Sequence, residues 1–397
     1  MIGISKLYCN TVEPSDALRY GRQSGKLPSH LLQFSEDKKP VVVWNMTRQC
    51  NLKCVHCYAH ARKTAQDGEM NTSEGRALIE DLAAFGSPVI LFSGGEPVMR
   101  PDLPELAEYA VSKGMRAVIS TNGTLITPDM AKILKQVGLS YVGISLDGTR
   151  EVHDRFRGVA GAYDLAMEGI ENARAAGIKV GLRFTVNKRN TGEVPAIFDL
   201  LEENDIPRVC FYHLVYAGRG TELMKEDLSH AETRDLLDLI MDRTRDLHDR
   251  GKPKEVLTVD NHADGPYVYL RLLREDPGRA ADVLKLLEMN EGNSSGRGIG
   301  CVSWDGVVHA DQFWRHHSFG NVRDRPFSEI WSDLSEPLMA RLKDKKPYVT
   351  GRCAECRWLS VCGGNFRVRA EAATGDLWSP DPACYLTDKE ITPVPAA

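Results

Sequence analysis

No uninterrupted apolar stretch in the sequence approaches the ~18–20 residues that a membrane-spanning helix needs. The first residues, Met1-Ile2-Gly3-Ile4-Ser5-Lys6, lack the basic region and apolar core of a secretory leader. An excess of one charge is missing too: 50 Lys and Arg stand against 55 Asp and Glu, a net of −5. That balance argues against nucleic acid or an anionic membrane as the main partner. Cysteine is sparse, ten in 397 residues, far below the density of a disulfide scaffold. These absences predict a cytoplasmic protein whose thiols stay reduced. What remains is ordinary globular chain, 42% hydrophobic and 26% charged. It is long enough for two or three structural units at roughly 150 residues each.

Residues 1–40 are polar, with Pro14, Pro28 and Pro40 and the run Glu36-Asp37-Lys38-Lys39. They are expected to form a loosely structured lead-in with one short helix at 15–20. From Val41 the pattern changes. Short β-rich runs at 41–46, 89–92, 117–120, 141–146, 180–186 and 209–215 alternate with helical spacing at 73–85, 102–112, 128–137, 163–175 and 194–203. Thr127-Pro128 opens one helix, Gly138 closes it, and Gly177 closes another. Alternating strands and helices imply a parallel sheet with right-handed crossovers. Six such units predict an α/β fold, an incomplete version of the eight-stranded barrel, over residues 41–220. Residues 221–298 read as a charged, largely helical connection ending in the turn-forming stretch Glu291-Gly292-Asn293-Ser294-Ser295-Gly296-Arg297-Gly298. Residues 299–397, with a hairpin at Trp304-Asp305-Gly306 and clustered Cys and His, read as a second, smaller, metal-dependent domain.

The cysteines are placed unevenly. Cys50, Cys54 and Cys57 lie within eight residues, just after the first expected strand, where α/β barrels place their chemistry. Three small apolar residues on one helix face, a zinc site with a remote fourth ligand, and a 4Fe–4S cluster with only three thiolates are the alternatives for this spacing. Cys353, Cys356, Cys362 and Cys384 form a second set, suited to tetrahedral zinc or to a fully ligated iron–sulfur cluster. Cys9, Cys210 and Cys301 stand apart.

Cys-x3-Cys-x2-Cys after a first strand resembles the signature of the radical S-adenosylmethionine superfamily. Ser93-Gly94-Gly95-Glu96-Pro97, Thr121-Asn122-Gly123-Thr124 and Ser145-Leu146-Asp147-Gly148, each at the end of a later strand, are similar to the motifs that follow it in that family. The resemblance implies that the trio holds a 4Fe–4S cluster whose open iron chelates S-adenosylmethionine. Gly94, Gly95, Glu96, Thr121, Asn122, Ser145, Asp147 and Arg183 would then contact that cofactor. The tail resembles the SPASM extension through Gly306-Val307-Val308, Gly320-Asn321-Val322 and Glu329-Ile330-Trp331. It departs from the two-cluster pattern, because the expected cysteines fall on Phe366 and Asp311. One auxiliary 4Fe–4S cluster, on Cys353, Cys356, Cys362 and Cys384, is therefore implied, making two clusters in all.

The N-terminal residues Ile4-Ser5-Lys6-Leu7-Tyr8-Cys9, Leu18-Arg19-Tyr20-Gly21 and Leu27-Pro28-Ser29-His30-Leu31-Leu32, with Asp311-Gln312-Phe313-Trp314, resemble the tetrapyrrole-modifying branch of the family. That resemblance implies removal of two acetate side chains from the iron tetrapyrrole 12,18-didecarboxysiroheme, with electrons from an external donor such as flavodoxin or ferredoxin. Removal of propionates, peptide or sulfatase maturation, and a non-enzymatic iron–sulfur or zinc protein are the competing expectations. Arg19, Arg22, Arg219, Arg297 and Arg315 are candidates for substrate carboxylates. His309, His316 and His317 are candidates for the substrate iron, and Cys9 for iron or for hydrogen donation.

Overall fold

A computed structural model describes residues 1–13, 16, 19 and 39–392. Runs rich in Val, Ile and Phe become strands because branched and aromatic side chains pack well on a pleated surface buried on both faces. The strands are β1 (Ile2–Gly3), β2 (Val41–Thr47), β3 (Val89–Gly94), β4 (Arg116–Thr121), β5 (Tyr141–Ser145), β6 (Lys179–Val186), β7 (Arg208–His213), β8 (Glu255–Val259), β9 (Ile299–Val302) and β10 (Val308–His309). They share one open sheet in the order β1-β8-β7-β6-β5-β4-β3-β2-β9-β10. Every neighbouring pair from β8 across to β9 is parallel, and the two outermost pairs are antiparallel. The parallel strands therefore end on one side, which is where such sheets bind ligands.

Helices α1 (Ile4–Cys9), α2 (Thr72–Phe85), α3 (Leu103–Ser112), α4 (Pro128–Gln136), α5 (Arg150–Arg157), α6 (Ala162–Ala175), α7 (Val194–Glu203) and α8 (His230–Asp249) follow in chain order. Their ends obey local chemistry. Asn71 and Glu74 form a capping box at the start of α2, and Ser229 and Glu232 form another at α8. The six β-rich runs and five helical segments read from residues 41–215 all appear, most shifted by one or two residues at an end.

Three parts of the sheet depart from the sequence pattern. The expected loose lead-in is, at residues 2–9, part of the core: Ile2, Ile4, Leu7 and Tyr8 are at most 1% exposed. β1 covers the edge of β8, and α1 packs on α8 and β8. Eight residues are too few to register as a periodic element. The region expected to be helical contributes β8, Glu-Val-Leu-Thr-Val, with all five side chains buried. Finally, β9 of the tail pairs in parallel with β2, so the tail begins inside the sheet. The helix expected at 15–20 lies largely outside the described residues. Among the described residues, no helix is long and apolar enough to cross a membrane.

Candidate active site and metal centres

Cys50, Cys54 and Cys57 sit in the loop that leaves β2, and backbone hydrogen bonds fasten that loop on several sides. The Cys50 N–H donates to the Arg62 carbonyl at 2.7 Å, and Lys53 and Val55 donate to the carbonyls of Arg157 and Phe156 at 3.0 and 2.9 Å. Arg219 binds it from the far side, its N–H reaching the Cys57 carbonyl at 3.1 Å and its Nε the Cys54 carbonyl at 2.7 Å. The glycines after β3 press against the same loop. Gly95 donates to the Thr47 carbonyl and Glu96 to the Gln49 carbonyl, both at 2.7 Å. A Cβ on Gly95 would stand 2.1 Å from the Gln49 oxygen, and one on Gly94 (φ +123°) 2.4 Å from that of Thr47. Both positions require glycine for this contact alone.

The Glu96 carboxylate is fully engaged by its own chain. It accepts from Thr121 Oγ1 at 2.6 Å, Asn122 N–H at 2.8 Å and Val98 N–H at 3.1 Å. Burial still pushes its carboxyl above the usual range. Asn122 in turn donates to Asn51 Oδ1 at 2.8 Å and lies 3.9 Å from the Cys50 sulfur. Asp147, fully buried, accepts from the Thr185 N–H at 2.9 Å and pairs with Arg157 at 2.6 Å. Arg157 donates to the Cys54 sulfur at 3.4 Å. Burial holds His56 down to about 4 and His153 to about 3, so both are neutral. The counter-charge of Asp147 is therefore Arg157. Burial works against both charges, but their mutual attraction outweighs it.

Above the loop the strand ends enclose a cleft. Its walls include the three loop cysteines, Gly94, Gly95, Thr121, Asn122, Ser145 and Arg183. Glu96 and Asp147 stand behind that wall. Arg183 lies over the Tyr212 ring, 4.5 Å from its centroid. Among the further cleft residues that the sequence did not single out are Arg157, His213 and Asp260. Arg157 closes α5, a charged helix with too few apolar residues to declare itself. His213 ends β7, and its position within a recognised β-rich run was the available signal. Asp260 follows β8, the strand hidden in a region read as helical.

Cys353, Cys356, Cys362 and Cys384 line one small, largely apolar cavity together with Trp358, Leu359 and Leu386. No three cysteine sulfurs in either set come within 4.8 Å of one another, since the one cluster of potential ligands that close is His316, His317 and Glu371 among the described residues. A zinc ion with bonds of about 2.3 Å would hold its thiolates about 3.8 Å apart, whereas an iron–sulfur cube seats each thiolate on a separate iron. Three thiols on one cleft wall and four around one small cavity are donor sets that would suit iron–sulfur clusters. Burial pushes Cys50 and Cys362 up to about 12, so bound iron is what would hold them as thiolates. Phe366 and Asp311, where further tail cysteines were expected, do other work. Phe366 packs edge-on against Phe313, and Asp311 accepts from Ser295 Oγ at 2.6 Å and from the N–H groups of Phe313 and Trp314.

The remaining candidates disperse. His309 is spoken for at both nitrogens, by Ser303 Oγ at 2.9 Å and the His317 carbonyl at 2.6 Å. His316 and His317 both turn to Glu371 and do not line the cleft. Arg19 is buried with Asp16 and Glu255, Arg297 pairs with Glu291, and Arg315 binds the Ala59 carbonyl. Arg219 lines the cleft but is bound to loop carbonyls. Arg22 lies outside the described residues. Cys9 packs on the core at the end of α1, Cys210 beside Leu257 and Val259, and Cys301 accepts from Asn45 Nδ2 at 3.4 Å. All ten cysteines are unpaired.

The strand-end cleft fed by a three-thiol loop belongs to a known class. Residues 44–201 match the radical SAM superfamily, and residues 295–357 match the SPASM iron-sulfur cluster-binding domain. The fold is that of native anSMEcpe with bound AdoMet (TM-score 0.67, 19% identity, 89% of this chain and 95% of that one). It is also that of Streptococcus suis SuiB bound to S-adenosylmethionine (TM-score 0.69, 18% identity, 90% and 81%). The chain belongs to the radical SAM superfamily and is an enzyme of that class, dependent on iron–sulfur chemistry and S-adenosylmethionine. It is 71% identical to the Fe-coproporphyrin III synthase of Methanosarcina barkeri, over 98% of this chain and 99% of that protein. Identity is 41% to the pre-heme d1 synthase of Dinoroseobacter shibae (89% and 87% covered) and 35% to the AdoMet-dependent heme synthase of Nitratidesulfovibrio vulgaris (90% and 96%).

Proposed function

We propose that the protein removes the two acetate side chains of 12,18-didecarboxysiroheme and so forms Fe-coproporphyrin III in siroheme-dependent haem biosynthesis. The observation that carries this reading is the 71% identity, over essentially the whole chain, to a Fe-coproporphyrin III synthase. The chemistry agrees with it. The acetates of such a substrate sit on saturated ring carbons that also bear methyl groups and have no acidic proton, so acid–base catalysis has no entry.

In this reading Cys50, Cys54 and Cys57 hold one 4Fe–4S cluster, and Cys353, Cys356, Cys362 and Cys384 hold a second, auxiliary one. Gly94, Gly95, Thr121, Asn122 and Ser145 face S-adenosylmethionine, and Arg183 pairs with its carboxylate. Glu96 and Asp147 act through their neighbours, Glu96 by setting the Thr121–Asn122 turn and Asp147 by holding Arg157 on Cys54. Cluster and cofactor, when bound, supply a 5′-deoxyadenosyl radical able to take hydrogen from an unactivated C–H bond. The chain's own part is to position the substrate and exclude water. Residues 41–220 would form the radical-generating barrel, 221–298 its connection, and 299–397 the auxiliary-cluster domain. Electrons would come from a flavodoxin or ferredoxin in the reducing cytoplasm, with neither nucleic acid nor membrane as partner.

The test is anaerobic incubation of the reduced, cluster-loaded protein with S-adenosylmethionine and either didecarboxysiroheme or Fe-coproporphyrin III. The expected product masses show loss of both acetates from the first compound and no change in the second. Decarboxylated propionates on the second would overturn the reading in favour of the propionate-removing branch.

A further inference from the structure

Two described histidines line the cleft, His56 and His213. They differ in what their nitrogens can do. His56 belongs to the cysteine loop, packs with a tilted ring against Phe156, turns Nε2 to Asp147 at 3.4 Å, and has its Nδ1 sealed from solvent. His213 ends β7. Its Nε2 is 2.9 Å from Asp264 Oδ2, and its Nδ1 makes no hydrogen bond among the described residues and is not a sealed atom.

A carboxylate can only accept, so Nε2 donates to Asp264, and Nδ1 is the nitrogen left for a ligand. Asp264 is itself fixed. It is fully buried in the first turn of the helix Asp264–Glu275, and its other oxygen accepts from the Tyr385 hydroxyl at 2.8 Å. This is the arrangement by which proteins orient an imidazole towards a metal and raise its basicity: one nitrogen tied to a carboxylate, the other left open. Neither cysteine set needs it, and the other histidines near the tail, 309, 316 and 317, are bound elsewhere.

We propose that His213 Nδ1 is an axial ligand to the iron of the tetrapyrrole substrate, held in place by Asp264 and Tyr385. The inference rests on the tetrapyrrole reading above. It places the macrocycle under the ends of β7 and β8. Tyr385 adjoins Cys384, so the segment carrying an auxiliary-cluster thiol also sets the ligand for the substrate.

The test uses the cluster-loaded, anaerobic protein with Fe-coproporphyrin III and with metal-free coproporphyrin III as probes. Resonance Raman spectra of the ferrous complex, excited in the Soret band, are expected to show an iron–imidazole stretch. His213→Gly should lose the band, regain it with added imidazole, and bind the iron probe about tenfold or more weakly. Its affinity for the metal-free probe should be unchanged. Asp264→Asn should lower the stretching frequency, which keeps the question open to measurement if His213→Gly does not fold. An identical band in His213→Gly, or no band in the unmodified protein that binds both probes, would overturn the axial assignment alone. Failure of the unmodified protein to bind either probe would overturn the tetrapyrrole reading and this inference with it.

Discussion

Arg369 and Asp381, both 0% exposed, form an ion pair at 2.8 Å that joins the segment carrying Cys384 to the strand ends of the sheet. The other nitrogens of Arg369 donate to the carbonyls of Leu214 and Asp260 at 2.9 and 2.8 Å, just beyond the ends of β7 and β8. Asp381 lies three residues before Cys384 and also accepts from the N–H groups of Phe366 and Ala383. Arg369→Met should leave Asp381 buried without its counter-charge and cost about 3–5 kcal/mol. Denaturant unfolding of the cluster-loaded protein measures it. A loss below about 1 kcal/mol would place the pair among contacts of surface strength.

The Arg157 contact with Cys54 predicts an electronic effect. A cation donating to a cluster sulfur stabilises the more negative, reduced cluster. Arg157→Gln should lower the potential of the cluster on the β2 loop by roughly 60 mV, the equivalent of a tenfold change for one electron. Cofactor cleavage should slow in step, with iron content retained. A redox titration followed by EPR reads the shift, and an unchanged potential would leave Arg157 a purely structural anchor for Asp147.

The two cysteine sets should be separable. Cys356→Ala is expected to lose the auxiliary cluster and most turnover while still cleaving some S-adenosylmethionine. Cys54→Ala should lose cleavage and turnover together. Iron content and 5′-deoxyadenosine release, measured side by side, check this. Equal cleavage by Cys54→Ala and the unmodified protein would contradict it.

Asp260 predicts a pH dependence. It holds a left-handed backbone (φ 67°) at the cleft, with Oδ2 unpaired among the described residues. Burial pushes its carboxyl from 3.8 up to about 6, with Asp311 acting the same way and the Met1 ammonium, Arg369 and Arg183 opposing. The folded chain therefore keeps a proton that the unfolded chain has shed between these values, and stability falls as pH rises through that window. The shift corresponds to ~3 kcal/mol. Asp260→Asn removes the titration, so its stability relative to the unmodified protein should rise from pH 4.5 to pH 7. Thermal melts across that range test it, and a constant difference would contradict it.

Legibility in the sequence followed signal length. Strands β2 to β7 announce themselves because six buried, β-rich runs are spaced by helices with clear caps. β1 and α1 stay hidden because Ile2, Ile4, Leu7 and Tyr8 form a pattern too short to count. β8 hides because its five residues are flanked by charged helices. In the site, cysteine spacing exposed both thiol sets, since chemistry fixes ligand spacing tightly. Gly94 and Gly95 were legible as close-approach positions for a cofactor, and the backbone that presses on them is that of Thr47 and Gln49 at the start of the cysteine loop. Arg157, His213 and Asp260 were not legible, because a lone polar residue gains meaning only from the strand end on which it falls.

In the proposed reading, one iron of a cluster held by Cys50, Cys54 and Cys57 is open to S-adenosylmethionine. Pulsed ENDOR of the reduced protein, with the cofactor labelled by nitrogen-15 at its methionine amine, tests it most directly. A hyperfine coupling between that nitrogen and the cluster spin is expected, present in Cys356→Ala and absent in Cys54→Ala. A cluster whose spectrum shows no such coupling and stays unchanged when the cofactor is added would contradict it.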